Sequence, residues 1–389
     1  MKSKFEKLGN YIRHVDERNS DLMITNLQGV SITKEFVPSI ANIIGTDLST
    51  YKIVRTGQFA YGPVTSRNGD KISIALLKGE DCIISSSYVP FEVYRNDELL
   101  PEYLMLWFMR PEFDRYARFM SNGSAREVFD WDCMCGVELP LPSIIEQRKI
   151  VHDYQVITNR IELLRKMNEN LEEQAITIIK NQIGSPILIN KRKDEIDILS
   201  AEYRIQTIKE YCLRMTTGAT PSRLEPCYWE NGNIPWLKSG EVHNCCIYDV
   251  DEYITEYAVD NSSVKMLKSG TVVMAMYGAT AAQVGFLCTD TTTNQAICAM
   301  ECVSYEESSY LYFSLILSQQ EIFNQANGGA QDNLSKEMIE RFNIITLSKE
   351  KIRFLGLPNI LSTIKINTSE MRKLEKLSHL VIPTYIKGA

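Results

Sequence analysis

Residues 143–186 read SIIEQRKIVHDYQVITNRIELLRKMNENLEEQAITIIKNQIGSP, and the spacing of their apolar side chains decides the fold. Ile150, Tyr154, Ile157, Ile161, Leu164, Asn168, Leu171, Ala175, Ile178 and Gln182 follow one another at alternating steps of four and three. That is a sustained heptad seam, the pattern of a helix packed along its length against another. Ser143 and Glu146 make a capping box, and Gly184 with Pro186 supplies a stop. At 1.5 Å per residue the segment predicts a rod of roughly 60 Å. A single amphipathic core helix buries a similar stripe, but seldom with so regular an alternation.

Outward from this rod, one order of features occurs twice. Leu267-Lys268-Ser269-Gly270 echoes Val54-Arg55-Thr56-Gly57, and Tyr277-Gly278 echoes Tyr61-Gly62. Tyr310-Leu311 opens an aromatic helix as Tyr103-Leu104 does. Asn327-Gly328-Gly329-Ala330-Gln331 repeats Asn122-Gly123-Ser124-Ala125-Arg126 at an offset of about 205. A second seam, Leu357, Ile360, Ile364, Asn367, Met371, Leu374, Ser378 and Val381, lies 203 residues beyond the first, with Pro358 expected to kink or restart its helix.

The predicted class is therefore α+β, with two mixed α/β globules at 1–142 and 187–345. Two long helices, 143–186 and 346–389, separate them, paired as an antiparallel coiled coil about a pseudo-two-fold axis. An antiparallel pair joins positions of constant sum. Subtracting 203 from the second seam then sets Asn168 opposite Asn367, Leu164 by Met371, Ile161 by Leu374 and Leu171 by Ile364. The alternative is that both asparagines face solvent. In the first globule, strands are expected at Tyr51–Val54, Ile72–Leu77 and Cys82–Val93. A helix over Pro101–Met120 should bury Tyr103, Trp107, Phe108, Phe113, Tyr116 and Phe119 as core rather than offer them for base stacking.

Composition limits the function. The chain has 389 residues, 44% of them hydrophobic and 23% charged, with no apolar run long enough to span a membrane and no apolar signal core at its N-terminus. A cytoplasmic protein is expected, its ten cysteines reduced and acting as small core residues, since none form a CxxC pair. The net charge of −7 divides as −3, 0, −9 and +5 over the four segments, so any nucleic-acid surface must be local. No GxGxxG, P-loop, HExxH or nucleophile elbow occurs, the four histidines are isolated, and no carboxylate set suits a metal. Catalytic and metal residues are thus expected to be lacking, and a partner would have to supply chemistry.

Polar loops are the better candidates. Tyr61, Thr65, Ser66, Arg67, Asn68 and Lys71 share one glycine-anchored loop, and Ser124 and Arg126 lie in the later turn. Lys238, Ser239, Tyr277, Thr280, Gln283 and Gln331 are their counterparts in the second globule. Arg suits guanine, Asn suits adenine, hydroxyls suit either, and Lys suits phosphate. A solvated hairpin would have the same composition.

These residues resemble the specificity subunit of type I restriction-modification systems. Leu139-Pro140-Leu141-Pro142 with Glu146-Gln147 is similar to the start of that family's central conserved helix. Gly218-Ala219-Thr220-Pro221-Ser222, Tyr228-Trp229, Ile234-Pro235-Trp236, Ser239-Gly240-Glu241-Val242 and Asn294-Gln295 resemble the landmarks of its target-recognition domains, and Tyr61 to Tyr88 looks like a second variety of that domain. The second rod departs from the pattern, being led in by Phe342 to Leu347 with Lys349-Glu350, without the prolines or the Gln. The resemblance implies a non-catalytic DNA-reading subunit of a bipartite, asymmetric site in double-stranded DNA. It implies docking of two methyltransferase (modification) subunits that bring S-adenosylmethionine and methylate adenine. Restriction/translocase subunits would bring ATP, and this chain would hold no cofactor. Two other classes compete: a coiled-coil protein–protein adaptor without DNA reading, and a nuclease or methyltransferase with unfamiliar motifs.

Overall fold

The computed structural model describes residues 4–40, 45–66, 68–121, 127–183, 203–326 and 333–385. The stop at Gly184 and the turns Asn122–Arg126 and Asn327–Gln331 lie outside the described residues. The chain divides into two units, Met1–Arg160 with Leu374–Ala389, and Ile161–Lys373. Each long helix is thus shared by both units. The expected boundary at 345/346 falls inside the strand Asn343–Leu347, and helix begins only at Lys349.

In the first unit a four-stranded antiparallel sheet runs in the order Ile12–His14, Val89–Val93, Phe59–Tyr61, Ile74–Leu76. Its side chains alternate between two cores, as the pleat requires. Phe59, Tyr61, Ile74 and Phe91 join the aromatic helices, while Ala60 and Ala75 join Val54, Cys82 and Ile84. Two expected elements are shorter than the sequence suggests. The run Cys82–Val93 breaks into Cys82–Ile84 and Val89–Val93, because Ser85 turns the chain by accepting from Ser87 N at its Oγ (3.4 Å) and from Tyr88 N at its carbonyl (3.1 Å). The helix Pro101–Met120 is two helices, Pro101–Phe108 and Pro111–Met120, since Pro111 cannot continue a helix but starts one well. Tyr103, Trp107, Phe108 and Phe113 are buried and Tyr116 partly so, whereas Phe119 is 84% exposed.

The second unit repeats this plan. Its sheet order is Arg214–Thr217, Ile297–Glu301, Val272–Ala275, Val284–Leu287, with Cys245–Ile247 added in parallel. The equivalence extends to atoms. Arg13 Nε donates to Glu92 Oε1 across neighbouring strands (2.7 Å), as Arg214 Nε does to Glu301 Oε1 (3.0 Å). Gly57 and Gly270 both take positive φ, which favours glycine. Each follows a cation held by one aspartate that also accepts the next backbone N–H: Arg55 and Thr56 on Asp81, Lys268 and Ser269 on Asp290. Each unit ties its start to its end, Lys4–Lys7 with Glu138–Leu141 and Tyr203–Thr207 with Asn343–Leu347. Tyr103 and Tyr310 donate their hydroxyls to the closing strands, at Pro140 O and Ile345 O.

The helix Ile144–Ile183 opens with the capping box: Ser143 N donates to Glu146 Oε2 (3.0 Å) and Glu146 N to Ser143 Oγ (3.3 Å). Gln147 is fully buried and acts as a clamp, donating to Glu98 O (2.7 Å) and Pro142 O (2.9 Å) and accepting from Leu100 N (2.9 Å). In the second copy Ser348 caps the helix Lys349–Phe354, and the apolar, fully buried Ile352 stands at Gln147's place. That helix ends at Gly356, with φ +74°, and a new one, Leu357–Tyr385, takes Pro358 in its first turn. Within the second unit, Ala175 and Ile179 share a core with Leu357, Leu361 and Ile364, and the sheet joins that same core through Val272 and Met274. The first helix here is therefore both seam and core helix. Asn367 Nδ2 donates to Asn168 Oδ1 at 2.8 Å, and Asn168 Nδ2 reaches Thr368 Oγ1 at 3.2 Å. The two segments run antiparallel, later residues of one meeting earlier residues of the other. No described helix is long and apolar enough to cross a membrane.

Candidate nucleic-acid interface

The hairpin joining the two central strands carries the candidate residues of the first unit. Tyr61 itself is core: it is fully buried, packs edge to face on Phe91 and Phe129 (6.1 and 6.3 Å), and has no hydrogen-bond partner for its hydroxyl. Burial pushes that hydroxyl's pKa up. Thr65 is also buried, donating to Ser121 Oγ (2.9 Å) and Glu127 O (3.3 Å), so it shapes the loop from inside. Asn68 closes the turn through its backbone N–H to Thr65 O (3.0 Å) and is half-buried, while Ser66 and Lys71 are exposed. Arg67, Ser124 and Arg126 lie outside the described residues. A cleft of about 380 Å³ opens beside this loop, between Gly62, Asn68 and Ser73 on one side and Ser87, Tyr88 and the strand end at Val30 on the other. A Cβ at Gly62 would stand 2.5 Å from Ser73 Oγ, so a larger residue there would force that hydroxyl to turn away.

In the second unit the structure brings Lys238 and Ser239 to the hairpin of Tyr277, Thr280 and Gln283. Thr280 Oγ1 donates to Ser239 O (2.9 Å) and is itself buried; Gln283 N donates to Thr280 O (2.9 Å). Tyr277 is 41% exposed. Lys238 Nζ lies 3.1 Å from Glu252 and 3.4 Å from Asp251, and the bond to Glu252 above all raises its pKa. Gln331 is outside the described residues.

Sequence reasoning missed the residue these contacts lead to. Glu252 also binds Arg223 Nη1 (2.6 Å), and the Arg223 guanidinium lies 3.6 Å over the Trp229 ring and 5.0 Å from that of Trp236. The two indoles are locked by donating to Ser222 O and Ala219 O (both 3.0 Å). Thr220 donates to Gln295 on the turn before the strand Ile297–Glu301. The signal was Arg223 standing between Pro221-Ser222 and Tyr228-Trp229, but its partner Glu252 is too distant in sequence to pair by inspection. Planar, stacked and half-exposed, this guanidinium has the geometry that reads guanine edges or phosphate.

The repeat relates the two sites. Strand pairings Tyr61↔Val89 and Met274↔Cys298 make Met274, not Tyr277, the counterpart of Tyr61. The Tyr-Gly echo is therefore coincidental in register, yet both hairpins fall at the same sheet end. There they face the turns Ser85–Tyr88 and Asn294–Ala296.

Residues 201–376 match the family model for the type I restriction modification DNA specificity domain. The chain is 23% identical over 304 residues to the type I restriction enzyme MjaIX specificity subunit of Methanocaldococcus jannaschii, covering 75% of this chain and 70% of that one. It is 20% identical to the HindI specificity subunit of Haemophilus influenzae across 98% of each. Its fold matches the crystal structure of the type I restriction-modification S subunit from M. genitalium, with TM-score 0.60 and 12% identity over 99% of this chain and 96% of that one.

Proposed function

From the premise that the chain belongs to the specificity subunits of type I restriction-modification systems, we propose that it reads a bipartite, asymmetric site in double-stranded DNA, one half-site per unit. The observation that carries this reading is the repeated sheet end: one scaffold, kept down to the Arg13–Glu92 and Arg214–Glu301 pairs, bears two unlike sets of loops. A shared scaffold gives equivalent docking, and unlike loops give unlike half-sites. The long helices set the spacer and dock two modification subunits. S-adenosylmethionine and ATP belong to the modification and restriction/translocase partners, so this chain works in the cytoplasm without catalysis of its own.

The test is methylome sequencing of a host with and without this chain. A bipartite adenine-methylated motif that vanishes with the chain supports the proposal. Exchange of the 62–73 loop should change one half of that motif only. An unchanged methylome, or two halves altered together, refutes it.

A further inference from the structure

The geometry points to the Arg223 guanidinium as the reader of a guanine in the second unit's half-site, with Glu252 as the residue that positions it. This rests on the DNA-reading function above and adds which base the second unit selects and what holds its reader in place.

The loop that carries Arg223 is built before DNA arrives. Gly218 lets its start lie against a strand end, since a Cβ there would stand 2.1 Å from Thr293 O, and Ala219 N donates to that same carbonyl (3.0 Å). The indoles of Trp229 and Trp236, packed edge to face at 5.1 Å, pin Ser222 O and Ala219 O. Glu252 divides its oxygens between two cations: Oε2 accepts from Arg223 Nη1 (2.6 Å) and Oε1 from Lys238 Nζ (3.1 Å). The bond from Arg223 above all keeps that carboxyl below the ordinary carboxylate pKa, so the clip is ionised at neutral pH. With its face on Trp229 at 3.6 Å and Nη1 on Glu252, the guanidinium has one plane and one rotation. The rotamer freedom of an arginine is then lost on folding rather than on binding. Among the described residues Nε and Nη2 have no partner, and these two nitrogens form the fork that meets guanine O6 and N7 together. A phosphate also accepts such a fork, but it would bring its charge against Glu252 and Asp251, the latter 74% exposed and 3.4 Å from Lys238 Nζ. A G·C pair carries no net charge, and the N4 amino group of its cytosine is a donor that a carboxylate accepts. Two acceptors beside a donor are the complement of a fixed fork beside a carboxylate.

The experiment uses the full chain assembled with its modification subunits and duplexes carrying its methylated motif. Each guanine of the motif is replaced singly by 7-deazaguanine, which turns the N7 acceptor into C–H and keeps the base pair. One replacement, in the second unit's half-site, should weaken binding about tenfold. Arg223→Ala should weaken the unmodified duplex by a similar factor and be indifferent to that same replacement. Glu252→Ala releases both cations to phosphates, so discrimination against the modified duplex should fall to about threefold while the slope of log K against log salt steepens by about one. Glu252→Gln, whose amide oxygen can still accept from Nη1, should regain most of the discrimination. Unchanged hydrogen exchange of the backbone amides in 234–237 and 252–254 verifies that each variant keeps its fold. The assignment is overturned if no guanine N7 matters in the half-site that Arg223→Ala affects, or if Arg223→Ala keeps the full 7-deazaguanine effect. It is overturned equally if Arg223→Ala weakens every duplex alike with a salt slope lowered by about one, the mark of a phosphate contact. Glu252→Ala with undiminished discrimination overturns the positioning role. In each of these cases selective binding by the unaltered complex leaves the DNA-reading function standing. If the unaltered complex binds without sequence selectivity, both fall.

Discussion

Replacing Asn168 or Asn367 by leucine tests what fixes the helices against one another. Asn367 is 7% exposed and gives its amide hydrogen to Asn168; Asn168 gives its own to Thr368, whose hydroxyl bonds Ile364 O at 2.8 Å. Asn168→Leu therefore strands a buried amide, at about 1–3 kcal/mol. Asn367→Leu costs less, about 1 kcal/mol, because Asn168 is only half-buried and water reaches it. The double substitution replaces a polar layer by an apolar one and should return to within about 1 kcal/mol of the parent, a coupling of at least ~1 kcal/mol. Its penalty is specificity: with no amide to satisfy, a slip of one heptad that brings residue 168 to Ile360 loses little. Unfolding of a two-unit chain is not two-state, so the assay is hydrogen exchange of backbone amides in 161–183 and 357–373, which reports local opening. Register is read by disulfide trapping between Leu164→Cys and Met371→Cys, efficient in the parent and diluted in the double variant. Single costs under ~0.5 kcal/mol that simply add would show that the amide pair does not set register.

Four other outcomes follow from the contacts described. Arg223→Ala should weaken recognition of the second unit's half-site by about 1–3 kcal/mol without touching the other, measured by methylation of half-site variants. Gln147→Leu leaves Glu98 O, Pro142 O and Leu100 N unbonded in a fully buried site, and hydrogen exchange of the amides at 98–106 and 144–151 should report a loss of about 2–4 kcal/mol; unchanged protection would mean the clamp is dispensable. Burial, then the like charges of Glu169 and Glu173, push Glu172 from 4.5 up to about 7. A carboxyl raised on folding stabilises most below its unfolded value, and that contribution is lost as pH climbs through about 7. Glu172→Gln should thus stabilise the chain by about 1–3 kcal/mol at pH 8 and hardly at pH 4, and parallel pH profiles of parent and variant would refute it. Deleting one heptad from each long helix should shorten the non-specific spacer between half-sites and leave both half-sites unchanged, as a methylome would reveal.

Seam, capping box and repeat were legible because each rests on local periodicity or on residue types at fixed spacing. The antiparallel sense followed from connectivity. What escaped the sequence depended on partners far along the chain. Nothing near Tyr61 says that its ring fills the space between Phe91 and Phe129, and composition alone made its loop look uniformly exposed. Ser85 could be read as one more strand residue until its oxygens were seen to turn the chain. Arg223 became a site only when Glu252, Trp229 and Lys238 converged on it. The Tyr277-Gly278 echo shows the converse: a shared dipeptide aligned by eye misplaced the register that the strand ladders define.

The meeting of Asn168 with Asn367 also constrains the order of events during synthesis. The first unit can close its terminal strand pair as soon as residue 141 has emerged. The seam made next must wait for the helix that begins at Leu357. At 5–20 residues per second the intervening ~170 residues take roughly 10–35 s, during which Leu164, Leu171, Ala175 and Ile179 lack the second long helix. On a polysome the nearest surface of matching pattern is the same helix on a neighbouring nascent chain. Asn168 interrupts that waiting stripe with an amide, and the exposed carboxylates of Glu169 and Glu173 stand beside it. Copies that met there would bring those like charges together, a repulsion that weakens such pairing while the chain's own second helix is still being made.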